Sequence, residues 1–181
     1  MSDVAIQDEF AYLHFDSEDY DLQHKIGQGG FGSVFKAIHK KTKQTVAIKF
    51  LQFATQSAPK HRQQQLARFE RESNFVCQLS HPHIVRLLDK GRIDDNTLYS
   101  VFEYVDGISL SDYLKQHGAL SVAETHAIML QVLDALVHAH QQGIIHRDIK
   151  PSNIMILQTG AKHHIKLLDF GISTLTLGQR A

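Results

Sequence analysis

The chain has 181 residues, of which 43% are hydrophobic and 21% are charged, so it is long enough to form one or two globular units. Its 19 lysines and arginines balance 19 acidic residues, and this neutrality gives no reason to expect a nucleic acid as partner. The single cysteine, Cys77, excludes an internal disulfide framework, and we expect it to be buried. The acidic N-terminal sequence and the lack of a long apolar window exclude a signal peptide and a membrane segment, which predicts a cytoplasmic protein.

The first part of the chain predicts an α+β unit that follows a leader at residues 1–18. Alternating apolar residues separated by turn signals predict five strands, and the spacing of apolar residues between the third and fourth strands predicts one helix. The predicted strands are Tyr20 to Ile26, Ser33 to His39, Thr45 to Leu51, Ile84 to Lys90 and Thr97 to Tyr104, and the predicted helix is Gln63 to Leu79.

The second part of the chain, from residue 106, has a helical period. Ser109 with Asp112, and Ser121 with Glu124, have the spacing of helix N-terminal capping boxes. The first pair predicts a short helix and the second a long helix that Gly143 closes. The apolar stripe that this spacing predicts for the long helix is Ile128, Met129, Val132, Leu133, Leu136 and Val137.

A glycine cluster lies between the first two predicted strands. Gly27, Gly29 and Gly32 form a GxGxxG pattern, with Val34 two residues later. Glycines at such a turn let backbone amides approach phosphate oxygens without a side-chain clash. A dinucleotide site would need the pattern to open a helix, and the strand-like sequence after Gly32 disfavours that interpretation. Taken alone, the pattern is also compatible with an ordinary glycine turn.

A lysine stands in an apolar strand shortly after the glycines. Lys49 ends the sequence VAIK, and a charge in an apolar strand requires a counterion. Glu72 is the candidate, because the stripe of the predicted helix turns it towards the same face. The alternative is that both are ordinary surface charges.

An eight-residue segment after the long helix, HRDIKPSN at 146–153, concentrates reactive side chains. Asp148 can accept or orient a hydroxyl proton, and Lys150 can neutralise phosphate charge. Asn153 offers a neutral oxygen to a hard cation. Two short strands are predicted at 154–157 and 165–168, and Asp169, in the sequence DFG, could supply an anionic ligand to the same cation.

The four motifs GxGxxG, VAIK, HRDxKxxN and DFG stand in one order, and in this order the chain resembles the eukaryotic-type, or Hanks-type, serine/threonine protein kinases. The resemblance covers about residues 20–172. It implies an α+β kinase fold with an N-lobe at 19–105, made of a five-stranded antiparallel sheet and one helix. The first part of a helical C-lobe would occupy 106–181. Because only ten residues follow DFG, we expect a truncated domain that belongs to a longer protein.

The resemblance also implies catalytic roles. Asp148 would be the catalytic base and Lys150 would steady the transferring phosphate. Lys49 would pair with the α- and β-phosphates of ATP, and Glu72 would hold Lys49. Asn153 and Asp169 would bind Mg²⁺.

The ATP contacts that the resemblance implies fall into three groups: the glycine turn over the phosphates, a gatekeeper with the hinge that meets adenine, and apolar walls. They are Ile26, Gly27, Gln28, Gly29, Gly30, Phe31, Gly32, Ser33, Val34, Ala47, Lys49, Phe102, Glu103, Val105 and Met155, with Phe102 as gatekeeper and 103–105 as hinge.

The function implied is transfer of the ATP γ-phosphate to protein hydroxyls. Lys150, two residues after Asp148, matches the serine/threonine pattern, so a protein with serine or threonine acceptors is the expected partner. One alternative is a truncated, inactive ATP-binding or interaction module. A small-molecule phosphotransferase of kinase-like fold is another, which the complete HRDIKPSN and DFG text disfavours. The oligomeric state stays open.

Overall fold

The computed structural model describes residue 15 and residues 17–29, 32–52, 59–94, 97–159 and 162–170. The chain divides into two compact units. The first contains residues up to 68 together with 87–104, and the second contains 69–86 together with the residues from 105 onwards. The lobe boundary at residue 105 stays a prediction, and most of the predicted leader lies outside the described residues.

The first unit is built on one antiparallel sheet. Its strands are β1 (Tyr20–Gly29), β2 (Gly32–His39), β3 (Thr45–Gln52), β4 (Leu87–Arg92) and β5 (Thr97–Glu103), in the order β1-β2-β3-β5-β4. The five-stranded antiparallel sheet predicted from the sequence is therefore confirmed, although β4 begins three residues later than expected.

The side chains of strand β3 alternate between an apolar face of this sheet and a face that carries a lysine. Successive side chains of a strand point to opposite faces, so Val46 and Ile48 share one face while Ala47 and Lys49 share the other. The apolar face forms a core cluster that Phe15 covers, with its ring 5.1 Å from that of Phe50. The buried members are Tyr20, Phe35, Ala37, Val46, Ile48, Phe50 and Val101.

A side-chain hydrogen bond joins the two outermost strands of the sheet. The Tyr20 hydroxyl on β1 donates to Asp89 Oδ2 on β4 at 3.0 Å. Three strands separate β1 from β4 in the sheet, so this bond requires the sheet to curl until its edges approach each other. Burial and then the contact with the Asp89 carboxylate raise the pKa of Tyr20 above its ordinary value.

Helix α1 (Pro59–Val76) begins four residues before the predicted start and ends three residues before the predicted end. Proline suits the first position of a helix, because its fixed φ is helical and its missing N–H has no partner there in any helix. After Val76 the backbone bonds change to the tighter spacing of turns, with Leu79 N donating to Val76 O. Cys77 lies in this turn and is exposed, so its expected burial is wrong. Val76 and Leu79 take the buried positions on either side of it.

The second unit combines two helices with a small sheet. Helix α2 (Leu110–His117) has Ser109 as N-cap, and helix α3 (Val122–Gln141) has the predicted capping box between Ser121 and Glu124. Strands β6 (Ile108–Ser109), β7 (Ile154–Thr159) and β8 (Lys162–Leu167) form a three-stranded antiparallel sheet in that order. A 3₁₀ turn at Pro151–Asn153 leads into β7.

The buried stripe of α3 is narrower than the sequence predicted. Its buried residues are Ile128, Val132, Ala135 and Ala139, and α3 packs against β8. Met129, Leu133 and Val137, which the predicted stripe included, are between 43% and 54% exposed, so that part of the prediction is wrong for the residues described. In the part of the chain that the structure covers, no helix is apolar and long enough to span a bilayer.

The segment that follows α1 is held on β8. Val85 N donates to Leu167 O, and Leu167 N donates to His83 O, both at 2.9 Å. A row of imidazoles lies beside these bonds. His81 lies 5.6 Å from His83 and 5.0 Å from His138 on α3, measured between ring centroids. His83 in turn stacks on His164 of β8.

His81 is a largely enclosed ring of this row. Its Nε2 lies 3.2 Å from Asp134 Oδ2, and its side chain is 11% exposed. Burial lowers the pKa of His81, the Asp134 carboxylate opposes that shift, and the neighbouring His138 and His83 rings add to it. The folded chain therefore releases this proton more readily than the unfolded chain does.

From the lowered pKa of His81 we predict that the folded chain becomes less stable as the pH falls. A lowered histidine pKa means that the unfolded state binds more protons once the pH falls below the ordinary value of ~6.5, so stability decreases with falling pH there. His81→Asn removes the titrating ring. Its melting temperature should fall less than that of the wild type between about pH 7.5 and about pH 5.5.

The matched control is His126→Asn, which removes an exposed histidine of α3, the helix that carries Asp134 and His138. This variant should keep the wild-type pH dependence of melting temperature. An equal pH dependence in His81→Asn and wild type would contradict the prediction.

Candidate active site

The first unit places four of the predicted ATP residues, Val34, Ala47, Lys49 and Phe102, on one face of its sheet. Opposed residues of neighbouring antiparallel strands project their side chains to the same side. Val34 is opposed to Lys49, and Lys49 to Ser100, which makes one row across β2, β3 and β5. The next row is Lys36, Ala47 and Phe102. Lys49 is 6% exposed and is the only buried lysine among the described residues.

Two members of these rows, Lys36 and Ser100, were not found by sequence reasoning. Their strand periodicity was a usable signal, because Lys36 is two residues after Val34 and Ser100 two residues before Phe102. Ser100 is fully buried, and its hydroxyl has no hydrogen-bond partner among the described residues. The same is true of the hydroxyl of Ser33 at the start of β2.

The glycines of the turn have different physical roles. Gly32 has a φ of 127°, and a Cβ there would collide with the Phe50 carbonyl oxygen of β3, so β2 and β3 require a glycine. A Cβ at Gly27 would make only ordinary contacts of 3.8 to 4.0 Å with Val34. Packing within the described residues therefore explains why a glycine is needed at Gly32, but it does not require a glycine at Gly27.

A buried histidine organises the predicted catalytic residues of the second unit. His146 is 2% exposed, and its Nε2 lies 2.7 Å from Leu168 O, while the Asp148 N–H donates to its Nδ1 at 3.3 Å. Because a carbonyl only accepts and an amide only donates, one neutral tautomer with its proton on Nε2 satisfies both bonds. The ring of Phe170 packs edge-on against His146 at 4.5 Å.

Asp148 is the centre of a side-chain cluster. Its Oδ2 accepts from Lys150 Nζ at 2.7 Å and from Asn153 Nδ2 at 3.0 Å. Asn153 Nδ2 also donates to the Asp148 carbonyl at 2.9 Å. The contacts to the carboxylate are made by Oδ2, which leaves Oδ1 as the oxygen that can accept a hydrogen bond from a hydroxyl group.

Asn153 also connects this cluster with the segment that carries Asp169. Leu168 N donates to Asn153 O at 2.9 Å, so the residue before Asp169 is held by two backbone contacts, one to Asn153 and one to His146. Asn153 is 7% exposed and uses its amide nitrogen on Asp148. Its carbonyl oxygen Oδ1 is therefore the atom that remains for a cation.

Two residues of the site have left-handed backbone. Arg147 has a φ of 67° and Asp169 a φ of 59°. Such conformations cost about 1–3 kcal/mol in a residue other than glycine, and they persist only where the surroundings enforce them. Arg147 lies between the two residues joined by the His146–Asp148 bond, and Asp169 follows the doubly held Leu168. The bonded neighbours thus fix both turns.

The electrostatics keep Asp148 ionised and His146 neutral. The hydrogen bond from Lys150 is the largest cause that lowers the pKa of Asp148, and Asn153 adds to it. Burial lowers the pKa of His146, although the Leu168 carbonyl and the Asp169 and Asp148 carboxylates oppose the shift. At neutral pH the cluster therefore offers a carboxylate beside an ammonium group. It can orient a hydroxyl group and neutralise charge on a phosphoryl group.

Other predicted site residues are placed less fully. Ile26 is exposed, Gln28 follows on the same strand, and Glu103 is opposed to Val46. Met155 lies on β7 and Val105 follows β5, both half-buried and both in the second unit. Gly30, Phe31 and Gly171 lie outside the described residues, as does the side chain of Glu72; for Gly29 only the backbone pairing with Gly32 is described.

Comparison with known proteins identifies the family. A family profile described as the protein kinase domain matches residues 20–180. The chain belongs to the protein kinase domain family. The kinase-like fold predicted from the four motifs is therefore confirmed.

Several serine/threonine-protein kinases are similar to this kinase-domain chain. A probable serine/threonine-protein kinase, pknA2 of Bifidobacterium longum, is 38% identical over 85% of this chain and 20% of its own length. PrkC of Bacillus subtilis is 41% identical over 86% of this chain and 23% of its own length. The chain thus spans about a fifth of the length of these relatives.

A solved structure supports the same fold. The structure of Rad53 1-466 in complex with AMP-PNP is 34% identical, with a TM-score of 0.73 over 86% of this chain and 39% of that chain. The five-stranded antiparallel sheet and the helices described here are those of a kinase fold.

The contact between Lys150 and Asp148 generates a prediction for this kinase domain. Lys150→Met removes the ammonium group that contributes most to lowering the pKa of Asp148, so that pKa should rise towards its ordinary value. Carbon-13 NMR titration of the side-chain carboxyl groups measures the change.

The control is Lys115→Met, which removes the ammonium group of a similar exposed pair with Asp112 on α2. It should raise the pKa of Asp112 and leave the titration of Asp148 unchanged. An unchanged Asp148 titration in Lys150→Met would show that Lys150 does not hold this carboxylate in solution.

Proposed function

We propose that this chain carries a serine/threonine protein kinase activity, the transfer of the γ-phosphoryl group of ATP to protein hydroxyl groups. The observation that carries the proposal is the cluster of Asp148, Lys150 and Asn153, which places a carboxylate, an ammonium group and a free amide oxygen within one hydrogen-bonded set. Family membership and the names of the similar kinases support it.

In this proposal Asp148 orients the acceptor hydroxyl and takes its proton. Its lowered pKa makes it a weak base, so its main contribution is to hold the hydroxyl oxygen in line with the phosphorus. Lys150, held by Oδ2 of the same carboxylate, neutralises charge on the transferring group. The lysine two residues after Asp148 is also the basis for proposing serine and threonine, in a protein, as acceptors.

The residues present fit ATP and Mg²⁺ as cofactors. Oxygen ligands suit Mg²⁺, and Asn153 Oδ1 with the Asp169 carboxylate, two residues linked through Leu168, supply them. When bound, the cation neutralises charge between the β- and γ-phosphates. No described neighbour requires a glycine at Gly27. A glycine there fits a backbone turn that approaches phosphate oxygens.

Other predicted site residues would supply the remaining nucleotide contacts. Lys49 would bind the α- and β-phosphates and Glu72 would hold it, while Val34 and Ala47 would line the adenine. Phe102 would be the gatekeeper, and 103–105 with Met155 would complete the site. The Rad53 structure, whose title names AMP-PNP, supports the proposal of a nucleotide ligand. We also propose a cytoplasmic location, and a division into lobes at 19–105 and 106–181.

The decisive experiment separates nucleotide binding from transfer. Asp148→Asn should lower the transfer rate to a serine or threonine peptide by about 10²- to 10⁴-fold, because the base is lost. It should keep the stabilisation by Mg²⁺-ATP, which for a folded binder is ~2.7 kcal/mol at 100 times the dissociation constant. Radiolabel transfer and thermal unfolding measure the two effects.

Two further variants check the assignment. Lys49→Ala should reduce the stabilisation by Mg²⁺-ATP, whereas Lys41→Ala, an exposed lysine paired with Asp19 in the same unit, should not. Full transfer by Asp148→Asn would refute the proposed base. Nucleotide binding without any transfer by the wild type would favour the inactive ATP-binding module instead.

A further inference from the structure

The first unit contains a contact between β2 and the segment after β5 that no proposed role has used. The Lys36 ammonium lies over the ring of Tyr104, 4.6 Å from its centroid. A cation within about 6 Å of an aromatic ring face is attracted by the negative charge density of the ring. Both side chains are half-buried, so the contact is partly shielded from water.

The strand register shows how Lys36 reaches Tyr104. Lys36 is opposed to Ala47, and Ala47 to Phe102, so all three share the face that carries Lys49. Strands lie about 4.8 Å apart, so the lysine must extend across β3 to reach the residue that follows β5.

The contact with Tyr104 determines where the positive charge of Lys36 is held. Lys36 and Lys49 point to the same side of the sheet on neighbouring strands. The Tyr104 ring holds the Lys36 ammonium at the end of β5, at the segment 103–105 that we propose as the adenine hinge. Lys36 therefore ties β2 to this segment, and it has no part in the phosphate contacts proposed for Lys49.

We propose that the Lys36–Tyr104 contact positions the adenosine half of the nucleotide site, by fixing the distance between β2 and the segment after β5. This inference rests on the proposed function. Lys36 is a positioning residue in it, because it acts through Tyr104 and the strand. Its loss should weaken binding of adenosine, ADP and ATP by the same factor.

The experiment is a double-mutant cycle on the 181-residue chain, with Lys36→Met, Tyr104→Leu and the double variant. Isothermal calorimetry measures the dissociation constants for adenosine, ADP and Mg²⁺-ATP, and initial rates give KM and kcat. Each single variant should bind all three ligands about two- to fivefold more weakly, the size of a partly exposed cation–π contact. The double variant should be no weaker than the single variants, and Lys36→Met should leave kcat unchanged.

Matched controls exclude a general effect of lost charge or lost packing. Lys36→Arg and Tyr104→Phe preserve a cation and a ring, so they should bind like the wild type. Lys41→Met removes an exposed lysine of the same unit that pairs with Asp19, and it should also bind like the wild type.

Each result that would overturn the inference is distinct. Unchanged dissociation constants in Lys36→Met, or losses that multiply in the double variant, would show that the contact does not position the site. A loss that grows with the number of phosphates would show that Lys36 contacts phosphate directly. Failure of the wild type to bind any of the ligands would overturn the proposed function, and this inference with it.

Discussion

The hydrogen bonds of one buried, neutral imidazole hold the second unit's candidate site together. His146 accepts from the Asp148 backbone through one nitrogen and meets the Leu168 carbonyl with the other. Because both bonds need the same tautomer, the ring fixes two chain segments that lie 22 residues apart. The left-handed turns at Arg147 and Asp169 are enforced by these neighbours. The orientation of the Asp148 carboxylate thus depends on a residue that performs no chemistry.

A comparable constraint acts in the first unit, where strand β3 contributes side chains to both faces of the sheet. Val46, Ile48 and Phe50 hold the core cluster, so the strand cannot shift its register without exposing them. That register places Lys49 and Ala47 on the opposite face. The Tyr20–Asp89 hydrogen bond joins the two edge strands of the same sheet. The core therefore determines where the candidate nucleotide contacts stand.

Local signals predicted much of the fold, and their failures have physical causes. The capping box at Ser121 and Glu124 and the alternation in β3 depend on neighbours in sequence, and both appear as predicted. The stripe of α3 was predicted too wide, because apolar periodicity does not say which side a neighbour covers. Here α3 packs against β8 and buries Ile128 and Val132, while Met129 stays exposed.

The sequence by itself determined the family, the order of the motifs and the residue types that can perform phosphoryl transfer, because these are properties of composition and spacing. Only the tertiary structure decided which atoms meet. The Asn153 amide nitrogen donates to Asp148, the Leu168 carbonyl anchors His146, and Lys36 lies over Tyr104. A one-dimensional pattern does not show that these atoms meet. Strand register and the packing of the core bring such residues together, and both are set by the whole chain.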